Sequence, residues 1–370
     1  MVEVNLSTKR FDIESEIIVV GAGPAGMSAG AVATELGAKV IIIDDNPIVG
    51  GQLIKQTHKF FGSKSHYCGI RGIDIVKIIE QKIKNLNITT YMNASVIGYY
   101  EDNILGVVQS DKFLKIYAPR IIFACGATEN LIAFPNNDLP GVYGAGAVQT
   151  LMNVEGVLPG RRALMVGSGN IGLIVSYQMM QAGIEVVALI EIMDKIGGYN
   201  VHAAKLQRLG VPILTSHTIK HALGKDSVTG AVIVKVNKKF RAIPSIEKRL
   251  AVDMICLAVG LSPLSDLLYQ AGCKIIYVPE LGGNVAWHND NMETSKPGIF
   301  VAGDLSGIEE ASTAMLEGRI AGAVAFETLK GQNAQAEEII RSAKTDLEEI
   351  RQGPFGTKPR IGKEKLVKIE

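Results

Sequence analysis

The sequence holds one tryptophan and 13 prolines in 370 residues, and its four cysteines, Cys68, Cys125, Cys256 and Cys273, stand far apart. No CxxC redox pair, zinc knuckle or iron–sulfur ligand run can be drawn from them, so no metal site is expected. They read as reduced, mostly buried thiols of a cytoplasmic protein. An excess of one charge is missing as well. Lys plus Arg number 38 against 37 Asp plus Glu, a formal charge of +1, which leaves no field to steer the chain toward nucleic acid or anionic lipid. No apolar run reaches the length of a membrane span: the most apolar stretch, Ile17 to Ala33, is broken by Gly21, Gly23, Pro24, Gly26 and Gly30. The first residues, MVEVNLSTKRFDIESE, carry acids where a secretory signal needs an apolar core.

What is present is a core-forming chain rich in glycine, 47% hydrophobic and 20% charged with 40 Gly. That balance excludes disorder, and the length suits two domains. One pattern occurs twice. Glu16 to Val20 reads as a short buried strand, Gly21-Ala22-Gly23-Pro24-Ala25-Gly26 as a turn, Met27 to Leu36 as a helix ending at Gly37, and Lys39 to Ile43 as a second strand closed by Asp44. The grammar returns at Arg162 to Val166, Gly167-Ser168-Gly169-Asn170-Ile171-Gly172, a helix to Gly183, then Val186 to Ile190 and Glu191. From last glycine to acid is 18 residues in the first copy (44 minus 26) and 19 in the second (191 minus 172). Each part has a mechanical reason. The first glycine permits a tight turn, the second lets backbone approach a pyrophosphate, the third lets helix pack closely on strand, and the acid accepts from a ribose diol. Further strands run into glycine at Arg120 to Gly126, Met254 to Gly260 and Ile299 to Gly303-Asp304, so each copy has its own closing strand. The second unit, at about 141–263, is then an insertion in the first.

Together GAGPAG, Gly50-Gly51-Gln52, the Ala124-Cys125-Gly126-Ala127 turn, GSGNIG and PGIFVAGD resemble the two-dinucleotide-domain flavoprotein reductases over about residues 15 to 330. Leu139 to Gly146, Met193 to Tyr199 and Ser306 to Ser312 are similar to the alpha-type subunits of heteromeric sarcosine oxidase, opine oxidase, hydrogen cyanide synthase and dye-linked proline dehydrogenase. The resemblance implies an α/β fold with two Rossmann-like domains, as in glutathione and thioredoxin reductases. FAD-binding parts at 1–140 and 264–332 would enclose an NAD-binding domain at 141–263, with a helix and tail at 333–370. It implies that Gly21, Gly23 and Gly26, with Pro24 and Ala25 between them, cradle the FAD pyrophosphate, that Asp44 and Asp45 hold the adenosine end, and that Gly51, Gln52, Ala124 and Gly126 line the cofactor. Gly303 and Asp304 would meet its ribityl or pyrophosphate part, and Ala311, Ser312 and Thr313 would open a helix toward the flavin. In the second unit Gly167, Gly169, Asn170, Ile171 and Gly172 would bind NAD or another adenine nucleotide, with Glu191 on the ribose. No Arg follows Glu191 among Ile192-Met193-Asp194-Lys195, which favours NAD over NADP.

The chain departs from the dithiol reductases of that superfamily, because no paired cysteine stands beside the flavin motifs. Nor does it carry the cysteine-rich segment of some alpha-type relatives, so an iron–sulfur relay would lie on a separate polypeptide. The resemblance therefore implies an FAD-dependent oxidoreductase subunit moving electrons between its flavin and NAD(H) or a partner flavoprotein that oxidises an amine, imino acid or similar small metabolite. A self-sufficient NADH:acceptor oxidoreductase and a non-catalytic nucleotide-binding scaffold stay open. No general base stands out; Cys68, His58 and His66 are the catalytic candidates. Two other matches are set aside. Ser28 fits GxSxG but lies within the first expected helix, and His217 with His221 falls on strand and loop rather than on one helix face. Ala336 to Arg351 reads as an amphipathic helix, either solvated or docked on a partner, broken by Gly353-Pro354-Phe355-Gly356.

Overall fold

A computed structural model describes residues 10–61, 64–353 and 356–368. The chain falls into two compact units, one made of Met1–Ile54, Phe60–Thr128 and Ser262–Glu370, the other of Lys55–Lys59 and Glu129–Leu261. The expectations for residues 1–9 and for Pro354 and Phe355 lie outside the described residues.

In the first unit a five-stranded parallel sheet runs in the order Ile299–Val301, Arg120–Phe123, Ile17–Val20, Val40–Ile43, Ile88–Tyr91. Strands Ile17–Val20, Val40–Ile43 and Ile299–Val301 are continuous apolar runs because both faces are covered. Ile17, Val19, Val40 and Ile42 pack among the helices, while Ile18, Val20, Ile41 and Ile43 pack toward residues such as Leu105, Val107 and Ile116 of a second, four-stranded sheet. The helices Pro24–Glu35 and Ala311–Lys330 lie backbone to backbone. Glycine makes this possible: a Cβ on Gly318 would collide with Ala25 O, and one on Gly322 with Ala29 O.

The second unit repeats the plan with parallel strands Val142–Gly144, Met254–Leu257, Arg162–Val166, Glu185–Glu191 and Ile213–Thr215. A three-stranded antiparallel sheet, His217–Leu223, Gly230–Val236 and Ala242–Leu250, completes it. His217 and His221 are thus on a strand, and no group of His, Cys, Asp and Glu among the described residues could hold a metal ion. Glu129, twelve residues before the expected start at 141, already groups with this unit. Its carboxylate accepts the Gly146 N–H at 2.6 Å and so binds it to the helix Ala145–Asn153.

The tail differs from both expectations for it. Its helix Ala334–Gln352, capped by Asn333 Oδ1 on the N–H groups of Gln335 and Ala336, buries Ala336, Ala343 and Leu347 in the first unit's own core beside Ile320 and Phe326. Its apolar face is therefore spent within the chain. A last helix, Thr357–Val367, follows. No helix among the described residues is long and apolar enough to cross a membrane.

Candidate cofactor sites

Strand Ile17–Val20 ends at Gly21, whose φ of 107° and close approach to Ala124 O admit only glycine. Gly23 is extended, and Pro24 opens the helix Pro24–Glu35, so Gly26, expected in the turn, lies in the helix's first turn. A Cβ there would collide with Gly21 O, which is the close packing the third glycine was expected to allow. A Cβ on Gly23 would meet only Gly51 Cα, at 3.9 Å. The turn is therefore open on that side, and the N–H groups of Ala25 and Gly26 have no carbonyl one turn earlier to receive them. Unpaired donors at the positive end of a helix dipole make a seat for a phosphate.

Asp44 follows strand Val40–Ile43 and faces this turn. Its Oδ2 accepts the Ala22 N–H at 2.5 Å, and its Oδ1 accepts Asn46 N at 2.8 Å and Asn46 Nδ2 at 2.9 Å. Ala22 O in turn accepts the N–H of Gly50 at 2.8 Å, and Gly51 turns with a φ of 51° so that its backbone can rest on Gly23. Asp45 and Gln52 are exposed beside them. Ala124 is buried at the end of strand Arg120–Phe123, and Gly126 turns with a φ of 74°. Between them burial pushes the Cys125 thiol up to about 12, reinforced by the charges of Asp44 and Asp45. Gly303, with φ 73°, follows the strand Ile299–Val301 one residue on. Burial pushes Asp304 up to about 6 against the Glu309 N–H it accepts at 3.3 Å, and the charges of Glu317 and Glu309 push the same way as burial. Ala311 opens the helix Ala311–Lys330, with Ser312 and Thr313 buried in its first turn. Gly21, Asp44, Ala124 and Gly303 sit just past the carboxyl ends of parallel strands, where open α/β sheets bind ligands.

The second unit repeats the main bonds of this arrangement and adds others. Gly167 has φ 105° against Ala258 O, a Cβ on Gly172 would collide with Gly167 O, and Gly169 leads extended into helix Asn170–Gln181 with nothing within 4 Å of an added Cβ. Glu191 Oε2 accepts Ser168 N at 2.9 Å and Ser168 Oγ at 2.6 Å, and its Oε1 accepts Met193 N at 3.0 Å. Ser168 O accepts the Gly198 N–H at 2.8 Å, and Asn170 Oδ1 accepts Tyr199 N at 2.8 Å. Ile171 is exposed. Gly197 and Gly198 lie in the Met193 to Tyr199 motif, which the sequence ties to the alpha-type subunits without giving the pair a place in the site. Its signal is there, because it stands six and seven residues after Glu191 as Gly50-Gly51 stands after Asp44.

Of the three catalytic candidates, one falls in the second unit and two in the first. His58 belongs to the second unit, where burial drives its pKa down to about 4, aided by His202 and Lys205 nearby, so its imidazole is neutral at pH 7. Lys55 of the same segment donates to Gly146 O at 3.1 Å and Thr150 Oγ1 at 3.3 Å. His66, in the first unit, faces Asp346 at 3.4 Å, and Cys68 is exposed.

The family model for pyridine nucleotide-disulphide oxidoreductases matches residues 15–318. The chain belongs to that family. Among its relatives, an opine oxidase subunit from Agrobacterium tumefaciens (strain Ach5) is 24% identical over 346 residues, covering 89% of this chain and 68% of that relative. The alpha subunit of sarcosine oxidase from Rhizobium meliloti (strain 1021) is 25% identical over 350 residues, 88% of this chain but 30% of the longer relative. Of solved structures, thioredoxin reductase of T. acidophilum matches with a TM-score of 0.71 at 20% identity, covering 86% of this chain and 99% of that one. L-proline dehydrogenase of P. horikoshii matches at 0.65 and 23%, covering 89% and 59%. These structures share the fold expected from the sequence, and the oxidase subunits are those the motifs resembled. The chain is thus a member of this oxidoreductase family, and relatives of it are named as oxidase subunits.

Proposed function

We propose that the chain is the FAD-carrying subunit of a heteromeric oxidoreductase, exchanging electrons with NAD or with a partner flavoprotein that oxidises an amine, imino acid or similar small metabolite. The observation that carries this reading is the doubled constellation in which Asp44 and Glu191 each accept the middle N–H of a glycine turn opening a helix. The first unit fits FAD: Gly21, Gly23 and Gly26 leave a glycine-walled seat, Asp44 Oδ2 keeps a lone pair for a ribose hydroxyl, and the opening of helix Ala311–Lys330 offers unpaired N–H groups where negative charge gathers on a reduced flavin. Bound FAD would supply the two-electron redox chemistry. The second unit fits NAD, since the Glu191 carboxylate would repel a 2′-phosphate.

Dithiol exchange has little support. Cys68 is exposed without a neighbouring cysteine in sequence, while burial makes Cys125 and Cys256 poor thiolates. Four unpaired cysteines also suit a cytoplasmic setting, with any iron–sulfur relay on a separate polypeptide. The test is the absorption spectrum of the purified full chain during anaerobic addition of NADH. One tightly held FAD bleached by NADH supports the proposal, and its native partner should co-purify. Sustained turnover to a dye by the single chain favours a self-sufficient reductase. A colourless protein that binds ATP or NAD without redox change overturns the proposal in favour of a scaffold.

A further inference from the structure

Behind the Gly303–Asp304 turn lies a buried ionic cluster that neither glycine motif uses. Glu317, on the helix Ala311–Lys330, is 2% exposed. Its two carboxylate oxygens have different tasks. Oε2 accepts the Gly303 N–H at 3.0 Å and Ser306 Oγ at 2.6 Å, while Oε1 accepts Arg351 Nη2 at 2.7 Å and Lys363 Nζ at 2.9 Å. Lys363 comes from the last helix, Thr357–Val367, and is itself buried. It also donates to Ser306 Oγ at 2.8 Å and Ser306 O at 3.1 Å, and it meets His288 Nε2 at 3.1 Å. Burial drives His288 down to about 3, with the Lys363 charge adding, so the ring is neutral; its Nδ1 faces Asn289 O, which leaves Nε2 as the acceptor for lysine.

We propose that Lys363 is a positioning residue for the cofactor: acting through Glu317 and Ser306, the last helix holds the Gly303–Asp304 turn in the conformation that receives the dinucleotide. This rests on the reading of the first unit as the FAD site. Stability alone is a poor reason for such a cluster, because a buried ion pair is commonly no better than an apolar pair of the same volume. What this pair does is geometric. Gly303 holds a left-handed φ with its would-be Cβ 2.8 Å from Ala25 Cβ, so the turn touches the opening of the first dinucleotide helix, and Glu317 is the acceptor that fixes its N–H. Glu317 stays ionised in this dry setting because Lys363 and Arg351 outweigh burial and hold its carboxyl down at about 2. Without Lys363 the carboxylate loses a partner at the same oxygen and Ser306 loses two donors' worth of contact, so the turn is freed.

The experiment compares full-length wild type, K363M, K363R and K365M, the last a change on the same helix at an exposed lysine facing Glu280. Two quantities are read: the FAD dissociation constant of deflavinated protein, by quenching of flavin fluorescence, and amide hydrogen exchange at Gly303. K363M should bind FAD about tenfold more weakly, the scale on which a supporting residue behind a bound group acts, and should exchange Gly303 faster. K363R should restore both in part, and K365M should match wild type. FAD affinity within about twofold of wild type and unchanged Gly303 exchange in K363M would overturn the proposal. If wild type itself binds no FAD, the site reading fails, and Gly303 exchange alone then decides the positioning role. Should K363M not fold, S306A, which removes one of the lysine's acceptors without stranding a charge, is judged by the same two readings.

Discussion

The carboxylate of Asp44 accepts the backbone N–H of Ala22 at 2.5 Å, across 22 residues of chain, and so ties the end of one strand to the glycine turn that follows its neighbour. A charge-assisted bond of this kind contributes about 1.5–3 kcal/mol. D44A should therefore cost both the shape of the turn and the ribose contact, lowering the flavin-to-protein ratio after purification by about tenfold or more. D44N keeps one acceptor oxygen and should lose less. A D44A protein that retains stoichiometric flavin would refute the assignment.

Glu191 holds Ser168 in the same way. E191A should weaken NAD binding about tenfold, the equivalent of roughly 1.4 kcal/mol, and narrow the preference for NAD over NADP because the repulsion of a 2′-phosphate is gone. Calorimetric titration with each nucleotide checks both effects. Equal losses for the two nucleotides would mean that Glu191 shapes the turn without reading the ribose.

The glycines separate folding from binding. An alanine at Gly26 or Gly318 drives a methyl into backbone oxygen, which should cost about 1–3 kcal/mol and lower the melting temperature by several degrees. Gly169 has an ordinary negative φ and open space around an added Cβ, so G169A should melt like wild type yet lose NAD affinity, because the methyl stands where the pyrophosphate must approach. Thermal melting and nucleotide titration on the three variants give the answer. A G169A protein with undiminished NAD binding would count against the second site.

Acid should destabilise the protein through two of its histidines, one half-buried and one buried. His58 and His288 are held far below the ordinary 6.5, at about 4 and about 3, by burial. Unfolding lets them take up protons, so the stability they carry is complete above pH 6.5 and is lost as pH falls through that value toward their folded ones. Glu317, held at about 2, adds stability above its ordinary 4.5 that is lost on further acidification. Asp304, raised to about 6, has the opposite sign, since its burial penalty at pH 7 is relieved as it protonates below pH 6. With two histidines against one aspartate, the melting temperature should drop between pH 6.5 and pH 4.5, and H288Q should flatten that drop. A melting temperature that rises over the same interval would show that Asp304 governs.

The repeated strand, glycine turn, helix and acid were legible because each part answers to local chemistry: Val19 and Val20 are apolar on both faces of the sheet, Gly21 must turn left-handed, and Asp44 must end a strand. The same holds for Arg162 to Glu191. The Gly303–Asp304 turn was legible too, but what holds it was not. Nothing in the sequence marks Glu317 and Lys363, 46 residues apart, as partners. Their meeting is set by how the helices Ala334–Gln352 and Thr357–Val367 fold back, a long-range packing outcome that no local period encodes. The tail helix was legible as amphipathic for the same local reason, while the identity of what covers its apolar stripe was not. His58 likewise carries no sequence sign that its short segment groups with the second unit.

That segment has a practical result for anyone dissecting the molecule. The polypeptide passes from one unit to the other and back at Lys55–Lys59 before it commits to the long excursion from Glu129 to Leu261. A recombinant fragment cut at those later borders would leave behind the ammonium of Lys55 that meets Gly146 O and the hydroxyl of Thr57 that meets Gln178, stranding polar groups that the intact chain satisfies. The inserted half is therefore not a cassette that two scissions release whole.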